Sequence, residues 1–160
     1  MKHSALLSII AVGLLAAGMA WSQSKPVLPQ SIASVDPAGI AEGRELYARF
    51  CASCHGANLE GQPDWQSPGA DGLLPAPPHD GTGHTWHHDD RLLFDYTKLG
   101  GKAALEARGV RFNSGMPGFA DDLSDAEIWR VLGFIRSNWS EREQRVQAER
   151  TRADAATRGH

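Results

Sequence analysis

Cysteine and methionine are scarce in this chain, which has two cysteines and three methionines among its 160 residues. Two cysteines cannot form a disulfide-rich scaffold, a four-cysteine zinc site or a cysteine-ligated iron–sulfur cluster. A basic surplus is also missing, since the formal net charge is −3, and this argues against nucleic acid as a partner. Hydrophobic residues make up 41% of the chain and charged residues 22%, so the composition predicts one ordinary globular domain.

One long hydrophobic run is present, at the N-terminus, where an apolar stretch from Ala5 to Trp21 follows Lys2. The small residues Gly18 and Ala20 end this stretch in the pattern of a cleavage site, so residues 1–20 are predicted to be a secretory signal peptide. An uncleaved membrane anchor is the alternative, because the stretch is near the short end of the roughly 17–25 residues that span a bilayer. We therefore expect an exported, periplasmic protein, which is membrane-bound only if the signal is kept.

Glycine and proline are plentiful, with 17 and nine residues, and much of the chain is predicted to be loop. Residues 21–35 are interpreted as a flexible leader and residues 36–139 as the main domain. Residues 140–160 are a charged extension, either a surface helix or a frayed tail. Within the domain, residues 56–88 form a loop so long that something other than secondary structure must organise it.

Helical periodicity begins at Asp36, Asp89 and Ser124, and no segment has a convincing strand pattern. Asp36 is an N-cap residue before a proline, and Ser124 opens a capping box with Glu127. A glycine pair at 100–101 is expected to end the central helix. The fold class is therefore all-α, with three to four core helices joined by long loops.

Both cysteines lie in one short motif, Cys51-Ala52-Ser53-Cys54-His55, which has the C-x-x-C-H spacing of a c-type haem attachment site. Two thiols one turn apart can add to the two vinyl groups of one haem, and the adjacent His55 is then held beneath the iron as its proximal ligand. A redox-active cysteine pair would need a β-α-β setting, and a zinc site would need further ligands. The motif therefore predicts one covalently bound haem c.

Loss of residues 1–20 would leave Met116 as the single methionine, in a loop from Asn113 to Phe119 that is rich in glycine and proline. Pro117 stiffens this loop. Core packing explains a methionine in such a loop poorly, so its sulfur is predicted to be the second axial ligand. A His/Met pair raises the reduction potential of haem and fills the position that a peroxide or oxygen substrate would need.

Four histidines of the long loop compete with methionine for that position: His79, His84, His87 and His88. They also suggest a second metal site for copper or zinc, since imidazole is a ligand for both. The alternative is that these rings pack at the haem edge and form hydrogen bonds with propionates or with the loop backbone.

Residues 36–139, which contain these motifs, resemble a class I cytochrome c, a family of monohaem proteins. The resemblance rests on Gly43 and Tyr47, the haem motif, the Met116 loop and a final helix that contains Phe134. It implies a cytochrome c-like fold in which Gly43 lets the region of Phe134 approach and the loops wrap one haem. It also implies that a proline carbonyl orients the proximal histidine. Pro77 is the nearest counterpart, in a run of three prolines whose register stays open.

The resemblance implies a periplasmic single-haem electron carrier rather than an enzyme. Its partners would be redox proteins, such as a membrane oxidase, a reductase or a periplasmic dehydrogenase. One alternative is the haem subunit of a dehydrogenase or oxidase complex. The other is a haem protein with an additional copper or zinc site in the histidine-rich loop.

Overall fold

The structure, a computed structural model, describes residues 31–158, so the predicted signal peptide and residues 21–30 of the predicted leader lie outside the described residues. This part of the chain contains six α-helices, two short 3₁₀ helices and no strand, which confirms the all-α prediction. The α-helices are α1 (Pro37–Phe50), α2 (Ala52–His55), α3 (Asp90–Leu99), α4 (Gly101–Glu106), α5 (Asp125–Ser137) and α6 (Glu141–Arg158). None of the helices between residues 31 and 158 is long and apolar enough to cross a membrane.

Helices α1 and α5 begin where their capping residues predict. The Asp36 side chain accepts a hydrogen bond of 2.7 Å from the backbone N–H of Gly39, and proline occupies the first helical position. Ser124 and Glu127 form the predicted capping box, in which each side chain bonds the other's backbone N–H. Local side-chain chemistry therefore sets the start of both core helices.

The tightest helix crossing is between α1 and α5, which form the most extensive contact among these elements. A Cβ atom at Gly43 would clash with the carbonyl group of Arg130, so only glycine permits this approach. The closest approach of the two helices, between Gly43 and Arg130, therefore lies one turn before Phe134. One turn further along α1, the ring of Tyr47 packs against Phe134 with 5.4 Å between centroids. The crossing fixes the end of α1, where the cysteine motif begins.

Several segments differ from the sequence prediction, among them a 3₁₀ turn at Thr85–His87 inside the predicted long loop. Ile32–Ser34 forms one 3₁₀ turn in the predicted leader, and Ile32 and Val35 are buried against the core. Gly100 ends α3 as the sequence predicts. A further helix that the sequence does not predict, α4, starts at the next residue. The buried Ala104 anchors α4. The Ile32 turn packs on α5 and bonds Asp90, and α4 packs on α3 and bonds the Met116 loop; local periodicity reports neither set of contacts.

The charged extension is helical over Glu141–Arg158 and docks on the domain through a buried polar cluster. The carboxylate of Asp90 accepts hydrogen bonds from the backbone N–H of Ile32, the Gln147 amide and the Thr151 hydroxyl. Asp90 and Gln147 are both buried. The cluster therefore joins the first described turn, the start of α3 and the middle of α6.

We expect Gln147→Leu to lower the free energy of unfolding by about 1–3 kcal/mol, because the buried carboxylate of Asp90 loses a donor. Urea unfolding of the haem-loaded protein measures this effect as a lower midpoint. Glu149→Gln, on the exposed face of the same helix, is the control and should leave the midpoint unchanged. Equal midpoints for Gln147→Leu and the unsubstituted protein would show that the cluster does not hold α6.

Candidate functional site

The cysteine motif occupies the short turn between α1 and the long loop. Cys51 is the last capping residue of α1, and its carbonyl accepts hydrogen bonds from the backbone N–H groups of Cys54 at 3.1 Å and His55 at 2.9 Å. The two cysteines do not form a disulfide with each other; Cys51 is buried and Cys54 is exposed. One helical turn thus places both sulfurs and the imidazole in one small region.

The ring of His55 is buried and oriented by a proline carbonyl. Its Nδ1 atom lies 2.9 Å from the carbonyl oxygen of Pro77. Because a carbonyl only accepts, Nδ1 carries the proton and Nε2 keeps a lone pair that can bind a metal. Burial lowers the pKa of His55, and the bond to Pro77 only partly opposes this. The ring is therefore a neutral imidazole, the form that metals bind.

Tyr47 supports the end of the motif, a role that the sequence pattern did not reveal. Its hydroxyl donates to the carbonyl oxygens of Gly56 at 3.1 Å and His55 at 3.4 Å. Burial raises the pKa of this hydroxyl, so it stays protonated as a donor. A side chain of α1 thereby holds the backbone that carries the imidazole.

The thiol of Cys51 does not have the electrostatics of a redox-active cysteine. Burial, with a smaller contribution from Cys54, raises its pKa to about 12. Reactive cysteine pairs have the opposite property, since positive surroundings lower the pKa of the attacking thiol. The raised pKa therefore disfavours Cys51 as the attacking thiol of a redox-active pair, the alternative that the C-x-x-C spacing allows.

The Met116 loop is fixed to the junction of α3 and α4. The Met116 carbonyl accepts a 3.1 Å hydrogen bond from the N–H of Gly101, and its N–H donates to the Ser114 hydroxyl at 3.2 Å. Gly100 has φ +85°, and a Cβ there would lie 3.1 Å from the Met116 carbonyl oxygen. Glycine is needed at this position both for the backbone angle and for the close approach. The half-buried Met116 side chain is thus presented from a backbone held on both sides.

The four loop histidines pack against different partners. His79 stacks on His55, His84 on Trp65, and His87 on Trp86, while His88 meets His84 edge to face. Between residues 31 and 158, no three or more His, Cys, Asp or Glu side chains are grouped so as to hold a metal ion. The copper or zinc site stays a prediction from the sequence alone.

The comparison with known families agrees with this geometry, because the family model for cytochrome c matches residues 40–139. The chain belongs to the cytochrome c family. It is therefore a haem-based electron-transfer protein whose cofactor is covalently bound haem c, and members of the family are generally electron carriers, not enzymes. No curated protein and no solved structure matches the chain.

The residues of this cytochrome fit its cofactor at two further points. Nε2 of His55 is the nitrogen left free by the bond to Pro77. The indole N–H of Trp86 is buried and has no hydrogen-bond partner within the described part of the chain. An unpaired buried donor is costly, and a carboxylate such as a haem propionate would satisfy it. The lone pair of His55 Nε2 is thus available to the haem iron, and the buried N–H of Trp86, which the sequence pattern did not single out, is a hydrogen-bond donor in need of an acceptor.

Histidine burial predicts how the stability of this cytochrome varies with pH. Burial lowers the pKa of His88, with His84, His87 and Arg108 adding to the effect and Asp89 opposing it. His88 therefore binds a proton near pH 6.5 in the unfolded chain, whereas in the folded chain it stays unprotonated until a lower pH. We expect stability to be lost as pH falls below about 6.5, with a slope of at most about 1.4 kcal/mol per pH unit from this group.

The matching measurement is the urea midpoint of the haem-loaded protein between pH 7 and pH 5. His88→Gln, which has no titrating ring, should lose less stability over this range than the unsubstituted protein. The same loss in both proteins would contradict the assignment.

Proposed function

We propose that this cytochrome is a periplasmic electron carrier in which Cys51 and Cys54 tether the haem and His55 and Met116 are the axial ligands of its iron. When bound, the haem supplies a one-electron cycle between Fe(II) and Fe(III). One observation carries the proposal: the hydrogen bond from His55 to Pro77 leaves Nε2 free on the same short turn that bears both cysteines.

The surrounding residues keep these ligands in a fixed geometry. Tyr47 and Pro77 restrain the backbone and the ring of His55. On the other side, Tyr96 donates a hydrogen bond of 2.9 Å to the Ser114 hydroxyl, which in turn accepts from the N–H of Met116. Ligands held in this way move little when the charge of the iron changes, and such restraint also tunes the potential.

The proposed location and partners rest on the sequence. The N-terminal pattern of residues 1–20 supports export to the periplasm. Redox proteins such as a membrane oxidase, a reductase or a periplasmic dehydrogenase are the partners that a carrier would meet there. Encounters of this kind use small, short-lived interfaces.

Intact mass under denaturing conditions tests the tether. The full chain, produced in a host that attaches haem c, should retain the mass of one haem after unfolding. Replacing Cys51 and Cys54 together by alanine should remove that mass, because no thioether bond can form. Ser53→Ala changes the exposed residue between them and should behave as the unsubstituted protein. Haem that stays attached when Cys51 and Cys54 are both alanine would overturn the assignment.

A further inference from the structure

His79 lies flat against the proposed proximal ligand. The ring centroids of His79 and His55 are 3.8 Å apart, and the two planes differ by 16°. This separation is van der Waals contact, so one face of the His55 imidazole is covered by another imidazole.

The position of His79 is set by residues other than His55. Its backbone N–H donates to the carbonyl of Leu59 at 2.8 Å, and its carbonyl accepts from the indole N–H of Trp139 at 2.8 Å. The ring of Tyr47, on α1, meets it edge-on with 5.9 Å between centroids. The backbone of His79 is therefore held by the long loop and by Trp139, two residues beyond the C-terminal end of α5, and its ring is held by α1.

The contact restrains a motion that the hydrogen bond to Pro77 leaves open. That bond restrains the position of Nδ1, but a ring held at one nitrogen can still rock through small coupled rotations about its Cα–Cβ and Cβ–Cγ bonds. A flat neighbour at 3.8 Å blocks the tilt toward its own side. A histidine at position 79 has a cost in stability, since Nδ1 of His79 is buried and has no hydrogen-bond partner within residues 31–158. An apolar side chain would fill the same space without that cost.

We propose that His79 is a positioning residue that holds the plane of the His55 imidazole in one orientation toward the haem iron. The bond to Pro77 restrains Nδ1, and the contact with His79 restrains the ring plane on one side. This inference rests on the proposed function, because it takes His55 as an axial ligand.

The orientation of an axial imidazole plane is visible in the electron paramagnetic resonance of the oxidised protein and in the proton shifts of the haem methyl groups. His79→Leu removes the flat neighbour but keeps an apolar side chain. We expect it to shift the g values, broaden the signal and change the spread of the methyl shifts. His79→Phe restores a flat ring and should return all three toward those of the unsubstituted protein. His84→Leu removes an exposed loop histidine that stacks on Trp65 instead and should change none of them.

The outcomes separate this inference from the function on which it rests. A wild-type protein without a low-spin haem signal would overturn both. A low-spin wild type with identical spectra for His79→Leu would overturn the positioning role alone. Equal shifts in His79→Leu and His79→Phe would also overturn it, because a flat ring would then not be what matters. If His79→Leu fails to fold, His79→Phe decides: spectra like those of the wild type support the role, and shifted spectra contradict it.

Discussion

Replacing Met116 by alanine is expected to open the sixth coordination position of the haem iron. The reduced variant should bind carbon monoxide, whereas the unsubstituted protein should bind none. The weak sulfur–iron absorption band of the oxidised protein should disappear, and the reduction potential should fall, because a methionine ligand raises it. Carbon monoxide titration followed by visible absorption measures the first of these effects.

Pro117→Ala is the matched control for this experiment. It alters the same loop at an exposed position but keeps the sulfur of Met116. We expect its spectrum to retain the sulfur–iron band, and its reduced form should not bind carbon monoxide. A Met116→Ala variant that keeps the band would show that another side chain ligates the iron, and the loop histidines would become the next candidates.

Replacing Gly43 by alanine is expected to lower the free energy of unfolding by about 3 kcal/mol, at the upper end of the usual cost of overpacking. The added methyl group would clash with the carbonyl of Arg130, which is backbone and cannot rotate away. Helices α1 and α5 would have to separate. Alanine favours a helix over glycine by about 1 kcal/mol, but the clash outweighs that gain.

Gly39→Ala in the first turn of the same helix is the control. Its added Cβ would lie 2.9 Å from a methyl group of Val35 and 3.1 Å from the capping carboxylate of Asp36, both of them side-chain atoms that can shift. Urea unfolding should therefore show a change within about 1 kcal/mol, since the small strain and the gain in helix propensity oppose each other. A Gly43→Ala variant as stable as the Gly39→Ala variant would contradict the close crossing of α1 and α5.

The sequence predicts those parts of the fold that local chemistry controls. Asp36 and Ser124 cap α1 and α5 with their own side chains, so the helix starts are readable without knowing the rest of the chain. The turn at Ile32 and helix α4 could not be predicted in this way, because the turn depends on contacts with α5 and Asp90 and the helix on contacts with α3 and the Met116 loop. The buried Gln147 likewise gives no local sign that α6 docks on the domain.

The same division applies to the site. The C-x-x-C-H motif and the lone loop methionine are local patterns, and they name their chemistry directly. The resemblance names Pro77 as the nearest counterpart but leaves the register among the neighbouring prolines open, and the structure places the Pro77 carbonyl 2.9 Å from Nδ1 of His55. The stacking of His79 on His55 joins residues 24 positions apart, and no sequence periodicity reports a contact of that kind.

The absorption spectrum of the oxidised, haem-loaded wild-type protein tests the central claim most directly. The account predicts a low-spin spectrum with a weak sulfur–iron band, reversible reduction by one electron and no change when carbon monoxide meets the reduced form. A high-spin spectrum without that band, whose reduced form binds carbon monoxide, would contradict ligation by His55 and Met116 and with it the assignment as an electron carrier.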